Sequence, residues 1–340
     1  MNKSGIILLS LFNFMQISCA LNSLNEPLVT LNATVVDEIG EPIKDASLTG
    51  VFPNARNEGE VDIIKTDENG HGEVSGYARF GVNLIINKDG YYEHNFGKID
   101  TSEGSASGEL TSRTRSFDVT LRRAINPRGL IAKRKKFEIP VKDEWAGYDL
   151  EQGDWVEPYG KGQQEDLLIR YENEFLGLRI SEENLKRARE LNSTGPSPWT
   201  EKRERDTYGN WSGEVEIKFP SEGEGIVKIV DGYLEHSQMK MPHFAPETGY
   251  EINAAWNGLI RANPPVSELG YFLRVRVVKR GDEIIQANYA KINEDIHFDP
   301  RGTISFSYYF NPDVNDRNLE FDPSKNLLKN VEWKERVKLP

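Results

Sequence analysis

The chain is dominated by positions that alternate between apolar and polar. Phe117, Val119 and Leu121 sit between polar neighbours. Val215, Ile217 and Phe219 alternate with Glu214, Glu216 and Lys218, and Ile304, Phe306, Tyr308 and Phe310 with Ser305, Ser307 and Tyr309. A period of two puts every second side chain on one face of a sheet, so these stretches predict half-buried strands. Tyr271 to Val278, then Lys279-Arg-Gly-Asp282 and Glu283 to Ala287, predict a hairpin. One segment has helical spacing instead. Ser181 is a candidate N-cap, Glu182 and Glu183 follow in the first turn, and Leu185, Ala188 and Leu191 share a face. That helix is expected to end before Gly195-Pro196. Strands and helices do not alternate regularly, so the second half predicts an antiparallel β-sandwich or jelly-roll-like domain with one short helical insertion.

The first 20 residues read as an export signal. Lys3 supplies positive charge, Ile6 to Met15 is a short apolar run, and Ser18-Cys19-Ala20 is a small-residue cleavage site. The run is about half the ~20 residues a membrane span needs, and no later stretch approaches that length. Cys19 is the only cysteine. Two readings of it stand: removal by cleavage after Ala20, or lipidation of Cys19 as the first mature residue, with Gln16 where bacterial lipoboxes carry Leu. Neither leaves a disulfide framework or a thiolate site.

Residues 21–125 carry a recognisable order: Val29 to Asp37, Gly40-Glu-Pro-Ile-Lys-Asp45-Ala46, Thr66-Asp-Glu-Asn-Gly70-His-Gly72, Val82 to Ile86 and Lys88-Asp-Gly90-Tyr91. This resembles the carboxypeptidase regulatory-like family. The resemblance implies a transthyretin-like β-sandwich travelling beside another domain on an exported protein. Residues 126–136 are expected to be a basic linker, since Arg122 to Lys136 holds seven basic residues and no acid. Residues 137–340 then form the β-rich C-terminal domain. Within it, Gly147 to Gly162, Ala245 to Tyr250, Tyr308 to Pro312 and Asp316 to Asp322 are similar to stretches of uncharacterised exported bacterial two-domain proteins.

At 42 basic and 54 acidic residues the net charge is −12, which disfavours binding to a phosphate backbone, so no nucleic-acid partner is expected. The catalytic templates fail one by one. None of His71, His94, His236, His243 and His297 has Glu three residues later, so a zinc carboxypeptidase site is absent from the pattern. There is no Gly-x-Ser-x-Gly elbow and no phosphate loop. Asp67 to Gly72 lacks the fifth and twelfth ligands of an EF-hand and reads as a turn. No metal or cofactor is expected. The sequons at Asn32, Asn192 and Asn210 matter only in a eukaryotic secretory setting.

Two places attract interest. Trp145, Tyr148, Trp155 and Tyr159 lie among acids that include Asp149 and Asp154. Aromatic faces beside carboxylates suit a glycan surface, and paired carboxylates suit glycosidic acid/base chemistry. Packing of the aromatics at a domain junction is the competing reading. Glycines at 147, 153, 160 and 162 suggest a loop held open. The second place is Asp316 to Asp322, where Arg317 between Asp316 and Glu320 predicts an ion-pair brace. These readings favour a non-enzymatic protein of the cell envelope or surface that contacts envelope polysaccharide or another envelope protein. A polysaccharide hydrolase using carboxylates of the second domain is the alternative, and a subunit of an envelope machine is a third.

Overall fold

Alternation with a period of two builds most of this molecule. The computed structural model describes residues 26–340 except 54–58, 79–80, 101–111, 193–199, 230, 260–269 and 295. The expected export signal and Cys19 therefore lie outside the described residues. The chain divides into two compact units, Met1–Ile125 with Leu234–Lys240, and Asn126–Tyr233 with Met241–Pro340. The architecture is all-β.

In the first unit, β1 (Leu28–Asp37), β4 (His71–Tyr77) and β7 (Arg113–Leu121) form one sheet in the order β4-β1-β7. The second sheet has the order β3-β2-β5-β6, from β2 (Ser47–Pro53), β3 (Gly59–Lys65), β5 (Val82–Asn87) and β6 (His94–Ile99). Val29, Leu31, Ala33 and Val35 of β1 point inward with Leu48, Phe52, Leu84, Ile86, Val119 and Leu121, forming one core. β1 and β7 run parallel, the rest antiparallel. A parallel pair needs a long crossover, which β2 to β6 supply. The turn at Asn69-Gly70 is held by Asp67, whose Oδ1 accepts from the N–H groups of Asn69 and His71. Gly70 has φ +75°, and a Cβ there would lie 2.3 Å from the Val35 carbonyl oxygen, so only glycine fits. On the free side of β4, Asp62 Oδ2 accepts from the Ser75 N–H at 2.9 Å, occupying a donor that an edge strand leaves open. Leu234–Lys240 completes this unit against β6. The N–H of Asn95 donates to His236 O and that of Gln238 to Glu93 O, each at 2.8 Å.

The second unit has two antiparallel sheets. β9 (Ala146–Asp149), β10 (Asp154–Trp155), β11 (Leu167–Leu178), β12 (Gly209–Lys218) and β14 (Asn253–Leu259) take the order β10-β9-β11-β12-β14. The other sheet has the order β13-β15-β16-β18-β17, with β8 (Ile131–Glu138) paired to β18. Its remaining strands are β13 (Gly225–Lys228), β15 (Tyr271–Arg280), β16 (Glu283–Ile292), β17 (His297–Asp299) and β18 (Thr303–Asn311).

The expected linker is a correction. Leu130, Ile131, Ala132 and Phe137 are buried, and β8 runs antiparallel to β18 from Ile131 to Glu138. Residues 131–136, which carry four of the seven basic side chains, are thus strand rather than linker. β18 also departs from simple alternation, because Ser307 and Tyr309 are buried as well as Phe306, Tyr308 and Phe310. For Tyr309 two cores explain this. One contains Phe306, Tyr308 and Phe310, the other Leu130, Met241, Tyr309, Leu319 and Phe321, so both faces of the sheet are covered. The Tyr309 hydroxyl accepts from Asn293 Nδ2 and donates to Leu339 O, which satisfies it inside.

Helix α1 (Glu182–Asn192) begins at Ser181 as the pattern predicts, with Leu185 buried. Leu191, however, is 73% exposed, so the apolar face is one turn shorter than expected. A second helix, α2 (Glu201–Tyr208), follows, capped by Thr200 Oγ1 accepting from the Arg203 N–H. Arg189 of α1 grips the buried Glu204 of α2 through two bonds of 2.8 Å.

Candidate functional site

Of the six residues singled out between Trp145 and Tyr159, four come together across β9 and β10, with Tyr148, Asp149 and Trp155 buried and Asp154 half-buried. Asp154 pairs with Asp149 and Trp155 with Tyr148 across β9 and β10. The Tyr148 ring stacks on Phe137 with centroids 5.2 Å apart, and Trp155 meets both edge-on at 5.1 and 5.4 Å. Tyr148 and Trp155 are 1% and 8% exposed. Such geometry is that of packed aromatics. It lies within one core of the second unit. Only Trp145 and Tyr159 reach the surface, at 37% and 40% exposure, and the Arg170 guanidinium covers one face of Trp145.

The acids of this stretch are equally committed. Asp149 is buried, and its Oδ1 accepts from the N–H groups of Glu151 and Gln152, its Oδ2 from those of Gln163 and Gln164. Asp154 Oδ2 accepts from the Lys161 N–H. The loop is therefore closed around its carboxylates rather than held open. A Cβ at Gly160 would lie 2.3 Å from the Trp155 carbonyl oxygen, so this glycine permits a close return of the chain.

A cluster that local pattern does not announce lies beside it. Arg276 sits where the β15–β16 register shifts, with φ +55°. Its Nε and Nη2 donate to Asp166 Oδ1 and Oδ2 at 2.8 and 3.0 Å. Nη1 pairs with Glu151, Nη2 reaches Asp149 Oδ1 at 3.3 Å, and the guanidinium lies 4.8 Å above the Phe310 ring. Burial pushes the Asp166 carboxyl upward in pKa, and Arg276 pulls it back. Burial also opposes the charge on Arg276, but Asp166 and Glu151 outweigh it and hold the guanidinium charged. Next to the bulge, Glu224 accepts from the Val277 N–H, and burial raises its pKa. Two charge-assisted bonds on Asp166 and backbone donors on Asp149 make this a brace. The sequence signal was an arginine inside the apolar run Tyr271 to Val278, an expensive place for a charge without partners.

The Asp316 to Asp322 segment is a brace with different partners from those expected. Arg317 donates to Glu247 Oε1 and Ala245 O, not to Asp316 or Glu320. Asp316 instead pairs with Arg128, which also holds Asp313. Glu320 accepts from the Asn126 N–H, with His243 Nε2 3.9 Å away.

Described residues also line open depressions. One of about 400 Å³ lies on the outer face of β4-β1-β7, where Asn32, Thr34, His71, Glu73, Ser116 and Asp118 form a polar ladder. Another, of about 480 Å³, is in the second unit and is lined by Arg134, Lys135, Lys136, Glu294, His297, Ser305, Phe306, Ser307, Lys334 and Glu335. Among the described residues no three His, Cys, Asp or Glu side chains are grouped to hold a metal, and no helix is long and apolar enough to cross a membrane.

No family model and no curated protein matches this chain. Among solved structures, 3-chlorocatechol 1,2-dioxygenase of Rhodococcus opacus is 17% identical over 29% of this chain and 60% of its own, with a TM-score of 0.24. A streptococcal ancillary pilin is 12% identical over 40% of this chain and 45% of its own, at 0.20. A candidate carbohydrate-binding protein of Bacteroides uniformis is 8% identical over 85% of this chain and 99% of its own, also at 0.20. At such scores the likenesses carry no argument about fold or function.

Proposed function

We propose that this chain is a non-enzymatic exported protein of the cell surface or envelope, binding or displaying rather than transforming, with glycan as its contact. Its first unit would be a module of the carboxypeptidase regulatory-like, transthyretin-like type. The observation that carries the reading is the commitment of the three aspartates beside the aromatic stretch. Asp149, Asp154 and Asp166 spend their oxygens on backbone N–H groups and Arg276. A glycosidase needs instead two carboxyl groups about 5–9 Å apart across a cleft that admits sugar and water.

The test incubates the full chain with a panel of envelope and plant polysaccharides and follows two signals, retention in affinity electrophoresis and release of reducing ends. Retention without release is expected. Release of reducing ends by the wild type would make the chain a hydrolase, and no retention on any polymer would remove the glycan reading. Export is tested separately by mass spectrometry of the native N-terminus. The expected start is residue 21, or a lipidated Cys19, and an intact Met1 on envelope-purified protein would overturn it.

A further inference from the structure

The basic run that appeared to be a linker has a destination. Five of its seven cations pair with carboxylates: Arg122 with Glu38, Arg123 with Asp37, Arg128 with Asp313 and Asp316, and Lys133 and Lys135 with Glu335. Arg134 and Lys136 have no carboxylate partner among the described residues, and both line the 480 Å³ groove. They alternate on β8 with Lys133 and Lys135, so they share the opposite face. β-sheet register continues that face across two more strands. Lys136 stands opposite Ser305, which stands opposite His297, and Arg134 stands opposite Ser307. Directly opposed residues have Cβ atoms about 5 Å apart, so two hydroxyls lie beside two cations in one small field.

The carboxylates nearby cancel only part of this charge, Glu138 lying on the same face of β8 two residues from Lys136. Asp299 of β17 feels Lys136, but its two oxygens are held by Arg301 at 2.9 and 2.5 Å. Glu335 is shared by Lys133 and Lys135, and Lys334 leans on Glu332 at the rim. Glu294 is the remaining carboxylate on the lining. A basic field on a chain of net charge −12 runs against the average charge of the molecule.

We infer that this groove binds an acidic sugar, a glycan residue bearing a carboxylate, with Arg134 and Lys136 on the anion. Ser305, Ser307 and Glu294 take the ring hydroxyls. The mixture decides the class. A site for a bare oxyanion gains nothing from an acceptor-only carboxylate such as Glu294, whereas a ligand with one anionic group and several hydroxyl donors uses both kinds of group. The inference deepens the proposed glycan contact and rests on it.

The test titrates the full chain by calorimetry with oligogalacturonate and with the same oligosaccharide methyl-esterified, which keeps the rings and removes the charge. The variant is Arg134→Gln with Lys136→Gln, both exposed, with its fold checked by circular dichroism. The acid form should bind, the ester at least about tenfold more weakly, and the double variant should lose about tenfold for the acid alone. Affinity should fall as salt rises through the screening range. Equal binding of acid and ester, or unchanged binding by the double variant, overturns the inference and leaves the broader glycan reading standing. Full displacement by equimolar inorganic phosphate would show a bare anion site and overturn the sugar assignment. Failure of the wild type on every polysaccharide overturns the broader reading itself.

Discussion

Replacing Arg276 with alanine should destabilise the second unit by about 3–5 kcal/mol at pH 7, the usual cost of leaving a buried charge without its partner. The weight of that loss falls on one residue. Asp149 keeps its four backbone donors, and Glu151 is 43% exposed and turns to water. Asp166 is fully buried at its side chain and would retain only the Leu150 N–H. Two comparisons separate electrostatics from backbone. Arg276→Gly should recover about 1 kcal/mol relative to alanine, because φ +55° penalises a Cβ. Arg276→Met with Asp166→Asn should recover most of the remainder, since neither side chain is then charged. The pH dependence has a definite sign. Without Arg276 the folded-state pKa of Asp166 rises further above its unfolded value, so the deficit should shrink as pH falls from 7 towards 4 and the carboxyl takes a proton. The assay is urea unfolding followed by tryptophan fluorescence. All six tryptophans, at 145, 155, 199, 211, 256 and 333, belong to the second unit, so the signal reports that unit alone. A loss below about 1 kcal/mol at pH 7, or a deficit that does not narrow in acid, would refute the brace as described.

Three further outcomes follow from the same packing. Trp155→Ala should cost about 3–5 kcal/mol by the same assay, whereas Trp145→Ala should cost well under half of that, separating core from surface in the aromatic stretch. Gly70→Ala should lower the first unit's stability by at least about 1–2 kcal/mol from the backbone alone, measured by far-ultraviolet circular dichroism, since the Val35 carbonyl bars a Cβ. Burial first, and then His236, depress His94 to about 4. The neutral ring is favoured in the fold, so stability should drop as pH falls through 6.5 and level off below about 4. That amounts to about 2 kcal/mol by pH 5, and His94→Phe should abolish it.

The parts of this fold that could be read from sequence are those in which neighbours along the chain carry the information. The alternation in Val215 to Phe219, the hairpin turn at Gly281-Asp282 and the helix start at Ser181 all appear where expected. The failures share a cause, which is that burial of a second face depends on distant chain. Tyr309 looks like an outward position until Met241, Leu319 and Phe321 join it in a core. The charges of the basic run concealed a strand because five of the seven find carboxylates elsewhere in sequence. Asp149, Asp166 and Arg276 meet across more than a hundred residues, so composition around Trp155 could suggest acids beside aromatics but not that the acids were already occupied.

The Leu234–Lys240 strip that borders β6 gives the first unit a calendar. Its other strands leave a ribosome first, yet the piece that pairs with Glu93 and Asn95 is made only after Asn126–Tyr233 has been translated. Until then the β6 edge has open donors and acceptors, the condition under which nascent sheets join wrong partners. A fragment ended at Ile125 would keep that edge for life, and gene fusions cut at the apparent domain boundary would carry it with them.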